Sequence, residues 1–197
     1  MAQAGRQHRA GGSIGARLAS LEARALAIAG DGQGAGAALA DAERARERQQ
    51  VADEAPGVFA FPMAKQFAYA GTTHLAIGGR EHIQQAIASA DKAVRLYRNA
   101  ETDDQSVGDL FAAHVDLARG HLLLADVDGA EAMLGFVLDA PPERFSASIV
   151  RRLVDLSREL NRPQYGGAAQ ATRLRERLQH MAVLAASPSA RPPELPK

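Results

Sequence analysis

The stretch HVDLARGHLLLADVDGAEAMLGFVLDAPP, residues 114–142, decides the fold. His114, Leu117, Ala118 and His121 recur at three- and four-residue spacing, so they share one face of a helix. Asp126-Val127-Asp128 makes a turn. A second helix carries Ala130, Leu134 and Val137 and ends near Asp139, because Pro141-Pro142 cannot continue it. Two helices joined by so short a turn lie antiparallel. Small Ala118 lets the two touch, and the larger residues fill the groove toward a neighbouring hairpin.

Working outward, the same periodicity predicts seven further helical segments or parts of them. Before the turn, the first helix of this hairpin begins near Val107 and extends to Ala125. Upstream, Ser13 caps a helix reaching Ala29, in which Leu18, Leu21, Ala25 and Ile28 form one face. Gly30-Asp31-Gly32 breaks it, and a second helix runs from Ala35 to Gln49 with Ala38, Ala42 and Ala45 on one side. Residues 51–62 form a loop whose Phe59 and Phe61 plug a hairpin interface. A third helix runs from Pro62 to Ile77 and ends at Gly78-Gly79. A fourth runs from Glu81 to Asn99, with Ile83, Ala86, Ala90, Ala93, Val94 and Tyr97 inward. Asp103 or Asp104 caps the helix after it. Downstream, helices cover 142–160, with Ile149, Leu153, Leu156 and Leu160 aligned, and 168–185, with Leu174, Leu178, Met181 and Leu184 aligned. The expectation is an all-α fold, an α-solenoid of about four antiparallel hairpins and about eight helices over residues 13–186. Residues 1–12 and the Pro-rich 187–197 are read as disordered tails.

Composition agrees. The 197 residues are 46% hydrophobic but only 5% aromatic, with no Trp. Alanine dominates, and small side chains let helix axes approach. No alternating Val/Ile/Tyr runs suggest strands. Net charge is zero, which does not fit the basic footprint of a nucleic-acid-binding domain. Cysteine is absent, so neither disulfides nor thiolate chemistry are expected, in keeping with the cytoplasm. Apolar runs are too short to cross a membrane. Arg6, Arg9 and Arg17 precede the first acidic residue, Glu22. A transit peptide could begin that way, but a disordered tail is the preferred reading.

Internal similarity strengthens the repeat reading. Leu39-Ala40-Asp41-Ala42-Glu43-Arg44-Ala45 matches Ile87-Ala88-Ser89-Ala90-Asp91-Lys92-Ala93, 48 residues on. The hairpin at 114–142 resembles a tetratricopeptide repeat: His114, Leu117, Ala118 and His121 fall on the pattern of its first helix, and Ala130, Leu134 and Pro142 on that of its second. In the preceding hairpin Gly71, Thr72, Leu75 and Gly79 fit, whereas Arg151 and Arg152 break the pattern in the last, which reads as a cap. Residues 116–144 are also similar to the repeat-containing C-terminal regions of helix-turn-helix regulators of the XRE type from high-GC bacteria. The resemblance implies a regulatory or sensor module that binds protein or peptide. Direct DNA binding is not carried over, since a reader of that kind needs three helices and only a short tail precedes the repeats.

No pattern supports catalysis, a cofactor or a metal. His114 and His121 sit on one helix face, where packing is the expected role, and a metal would need further ligands. His74 and His82 flank a turn and read as surface residues. Asp126 and Asp128 lack calcium-loop spacing. Gly30-Asp31-Gly32-Gln33-Gly34 has neither the preceding strand nor the following Lys of a phosphate loop. The expected site is instead the inner face of the first helices, comprising Arg17, Ser20, Arg24, Gln66, Tyr69, Thr73 and Arg119. There Arg offers a planar donor fork for a carboxylate or phosphate, and Tyr a flat contact with a polar tip. The expected ligand is a peptide or another anion. The alternative is a transcriptional regulator, or a fragment of one, whose DNA-binding part is supplied elsewhere; a small-molecule-binding α-helical protein is a further alternative, and self-association through an unmatched hairpin end, as a homodimer, is a further expectation.

Overall fold

The computed structural model describes residues 13–49, 61–100 and 106–187. Among them lie eight α-helices and no strand: α1 (Ile14–Ile28), α2 (Gly32–Glu47), α3 (Met63–Ile77), α4 (Arg80–Arg98), α5 (Val107–Leu123), α6 (Val127–Leu138), α7 (Ala147–Glu159) and α8 (Ala169–Ala186). The helices pack in adjacent pairs, as the sequence periodicity requires. The expected 142–160 helix is divided: Pro142–Arg144 is a 3-10 turn, and Ser146 caps α7 by accepting from the Ile149 N–H. The expectations for the tails at 1–12 and 188–197, for Phe59 and for an Asp103 or Asp104 cap lie outside the described residues. The helices fall into two compact units that part between Asp116 and Leu117, inside α5.

In the first unit α1 packs on α2 and α3, and α3 on α4. Its contacts are made largely by alanine: Ala16, Ala23 and Ala27 of α1, Ala35, Ala38 and Ala42 of α2, and Ala86, Ala90 and Ala93 of α4 are buried. The 48-residue repeat is visible in this register, with Ala38 and Ala86, and Ala42 and Ala90, buried at equivalent places. Gly71 faces α4 so closely that an added Cβ would stand 3.4 Å from the Ala86 carbonyl oxygen and the Ala90 nitrogen. Phe61 is fully buried, as expected of a plug.

One expectation is inverted. Leu18, Leu21, Ala25 and Ile28 were read as the packing face of α1, yet Leu18 and Leu21 are 45% and 40% exposed and Ile28 is 77% exposed. The packed face is Ala16, Ser20, Ala23 and Ala27, on the opposite side. Helices that approach closely select small side chains at the contact, and this selection overrides hydropathy.

In the second unit α7 and α8 form a hairpin around Ile149, Leu153, Leu156, Leu174 and Leu178, all buried. The aligned stripe of α8 shifts at its end, where Ala182 is buried and Leu184 is exposed. Tyr165 is buried and its hydroxyl donates to the Leu122 carbonyl. Arg177 Nη1 donates to Glu131 Oε1 at 2.9 Å, tying α8 to α6.

Two turns share one construction. At the end of α1, Gly30 takes φ +86° and the Asp31 N–H donates to the Leu26 carbonyl; Asp31 then caps α2 by accepting from the Gly34 N–H at 2.8 Å. At the end of α5, Ala125 takes φ 63° and the Asp126 N–H donates to the His121 carbonyl; Asp126 caps α6 by accepting from the Gly129 N–H at 2.8 Å. Both are Schellman-type ends leading straight into an Asp N-cap. The Gly30–Gly34 segment thus holds its own carboxylate where a phosphate loop would hold an anion.

Candidate functional site

The seven expected site residues divide sharply. Ser20 is buried and its hydroxyl donates to the Ala16 carbonyl at 2.8 Å. Thr73 is fully buried and donates to the Tyr69 carbonyl at 2.8 Å. Gln66 is buried, with Oε1 accepting from Arg46 Nε at 2.8 Å. These three belong to the interior of the first unit and face no ligand. The error is one of rotation about the helix axis: α1 and α3 turn their small polar residues inward, next to the alanines, where a hydroxyl satisfies itself on the carbonyl one turn back. Arg119 is exposed, in the second unit. Arg17 is half-buried, two turns before Arg24 on the same helical face.

Arg24 and Tyr69 are brought together. The Arg24 guanidinium carbon lies 4.6 Å from the centroid of the Tyr69 ring, a cation–π contact that joins α1 to α3. Arg24 Nε is buried without a hydrogen-bond partner. A guanidinium N–H removed from water needs an acceptor, and a carboxylate from outside the chain would supply one. Tyr69 is held in turn by Phe61, edge-on at 5.4 Å and 76°. Behind Phe61 stands Arg46, 5.7 Å from its ring, whose Nη2 donates to the Phe61 carbonyl and whose Nη1 donates to Gln49. In the order Arg24, Tyr69, Phe61, Arg46, two cations flank an edge-on aromatic pair. Sequence reasoning missed Arg46, which reads as part of a polar helix face. Its position four residues after buried Ala42 was the available signal.

The four histidines singled out in the sequence have structural partners. His114 is buried, as expected of a packing residue, and its Nε2 accepts from Arg98 Nη2 at 3.2 Å, since a guanidinium only donates. His121 is only partly buried; its Nδ1 meets Asp126 Oδ2 at 2.8 Å. The Gly129 N–H, and after it His121, hold the Asp126 carboxyl below the usual carboxylate range. His74 and His82 are a half-buried pair rather than separate surface residues. Their Nδ1 atoms lie 3.0 Å apart, so one donates and the other accepts. Burial, and then the charge of His82, lower the pKa of His74. Thr72 donates to buried Asp116 at 2.8 Å.

A cavity of about 190 Å³ is lined by Tyr97, Arg98, Ser106, Val107 and Leu110. The Tyr97 hydroxyl is buried there, and burial followed by nearby Asp109 pushes its pKa upward. This volume is below the roughly 300 Å³ at which small-molecule sites begin. Among the described residues no group of three or more His, Asp or Glu side chains is placed to hold a metal ion, and no helix is long and apolar enough to cross a membrane. Comparison with protein-family models, with curated proteins and with solved structures finds no match.

Proposed function

We propose that the chain is a non-enzymatic, regulatory binding module of the tetratricopeptide type, and that it captures a peptide by an acidic side chain laid against Arg24 and Tyr69 between α1 and α3. One observation carries this reading: a guanidinium stacked on an aromatic ring with its buried Nε lacking an acceptor. Packing on Tyr69 fixes the donor fork before a ligand arrives, so little side-chain entropy is lost on binding. The Tyr69–Phe61–Arg46 contacts keep that platform rigid. The likeness of residues 116–144 to the repeat regions of regulators supports the regulatory part.

Calorimetric titration with a short Glu/Ala peptide tests the proposal. The wild-type chain is expected to bind, with affinity falling about tenfold in Arg24→Ala. Arg24→Lys is expected to fall nearly as far, because an ammonium has neither the planar fork nor the stacking face. Unchanged affinity in the Arg24→Ala/Tyr69→Ala double variant would sink the assignment.

A further inference from the structure

Peptide capture makes no use of the His74–His82 pair, whose placement depends on two glycines. Gly78 and Gly79, at φ +76° and +80°, are the only residues between α3 and α4, and the Gly78 N–H donates to the His74 carbonyl. His74 therefore lies in the last turn of α3 and His82 in the first turn of α4. They stand on the two arms of a hairpin whose helices are held close at Gly71. Their rings are within 23° of parallel with centroids 5.3 Å apart, while the Nδ1 atoms are 3.0 Å apart. The centroid separation exceeds the nitrogen separation by a full ring width. The rings therefore meet edge to edge, and each Nδ1 lies on the line toward the other ring. One proton fills that line, donated by one imidazole and accepted by the other.

We propose that His74 and His82 form a copper(II) site, the cation taking the place of the shared proton between the two Nδ1 atoms. Neutral imidazole suits copper(II), and burial keeps His74 neutral near pH 7. The ring that donates passes its Nδ1 proton to its own Nε2 through water, so the pair keeps its proton count and the copper its oxidation state. With metal–nitrogen bonds of about 2.0 Å, two nitrogens bridge a cation in line when they stand about 4 Å apart, an opening of about 1 Å. Rotation of two half-buried side chains about χ1 and χ2 supplies it. In-line bridging makes the imidazoles trans, which tetragonal copper(II) accepts and tetrahedral zinc(II) does not; water fills the remaining positions. So placed, the cation staples the end of α3 to the start of α4.

Isothermal titration calorimetry of the full chain with copper(II) chloride, in a buffer containing glycine as a competing ligand, tests this. One equivalent is expected to bind, with affinity lower by about tenfold or more in His74→Gln and in His82→Gln. Zinc(II) should bind at least about tenfold more weakly than copper(II). Electron paramagnetic resonance of the copper(II) form should show a tetragonal signal split by two nitrogens. Both variants should keep the helical circular-dichroism signal, and His8→Gln/His180→Gln, which leaves the pair intact, should bind as the wild type does. No copper(II) bound by the wild type, or affinity unchanged in His74→Gln/His82→Gln, overturns the site. A signal split by one nitrogen, or zinc(II) bound as tightly as copper(II), overturns the in-line arrangement.

Discussion

At the scale of single residues, conformation and protonation each lead to a measurable consequence. Ala125 stands where Gly30 stands in the equivalent turn, and both occupy the left-handed region. A Cβ there crowds the following carbonyl, so Ala125→Gly is expected to stabilise the chain by about 1 kcal/mol. Urea denaturation reads this directly, and a loss of stability would show that the turn is not strained. His74 gives a pH dependence. Its folded pKa lies below the ordinary value of 6.5, so the unfolded chain takes up the proton first. Stability is therefore fully present above 6.5 and declines as pH falls from there through the folded value. Denaturation midpoints at about pH 7.5 and about pH 5.5 should differ, and His74→Gln should remove most of the difference. Equal midpoints in wild type would contradict the buried pair.

At the scale of elements, the caps and the close crossings do most of the positioning. Asp126 accepts from Gly129 and from His121, and its loss in Asp126→Ala is expected to cost about 1 kcal/mol, read by thermal or urea unfolding. The α3–α4 crossing makes a sharper prediction. An Ala at position 71 would meet its neighbours at ordinary contact distance, so Gly71→Ala should be neutral or slightly stabilising through helix propensity. Gly71→Val adds methyl groups against α4 and should cost about 1–3 kcal/mol. Equal stability of the two variants would mean the helices are not in close contact. Helix positions were legible in the sequence because Gly, Pro and Asp punctuate the chain at nearly every turn. Helix rotation was legible for α4 and α7, where large apolar residues and the buried face coincide. It was not legible for α1, where alanines make the contact and Ile and Leu face outward, since hydropathy ranks Leu above Ala whichever way the helix turns.

The same rotation governs how much of the site could be read at the scale of the whole molecule. An all-α chain of paired helices follows from periodicity and turn residues alone. The site does not, because it depends on which side of α1 meets α3. Arg24 and Tyr69 were named from repeat register, and the structure places them in contact. The register failed for Ser20, Gln66 and Thr73, whose polar atoms are used up inside the first unit. Arg46 escaped notice because its role comes from tertiary contacts with Phe61 and Gln66, which lie fifteen and twenty residues further along the sequence. The proposal of a peptide-binding module rests on Arg24, among the described residues the guanidinium whose buried nitrogen lacks an acceptor. An arginine Nε–Hε group can be followed in a proton–nitrogen correlation spectrum, with the Arg24 signal assigned by its absence in Arg24→Lys. On titration with the Glu/Ala peptide, the Arg24 Nε–Hε cross-peak should move downfield in proportion to occupancy, as expected for a new bond to a carboxylate. A cross-peak that stays in place while the peptide binds would contradict the account.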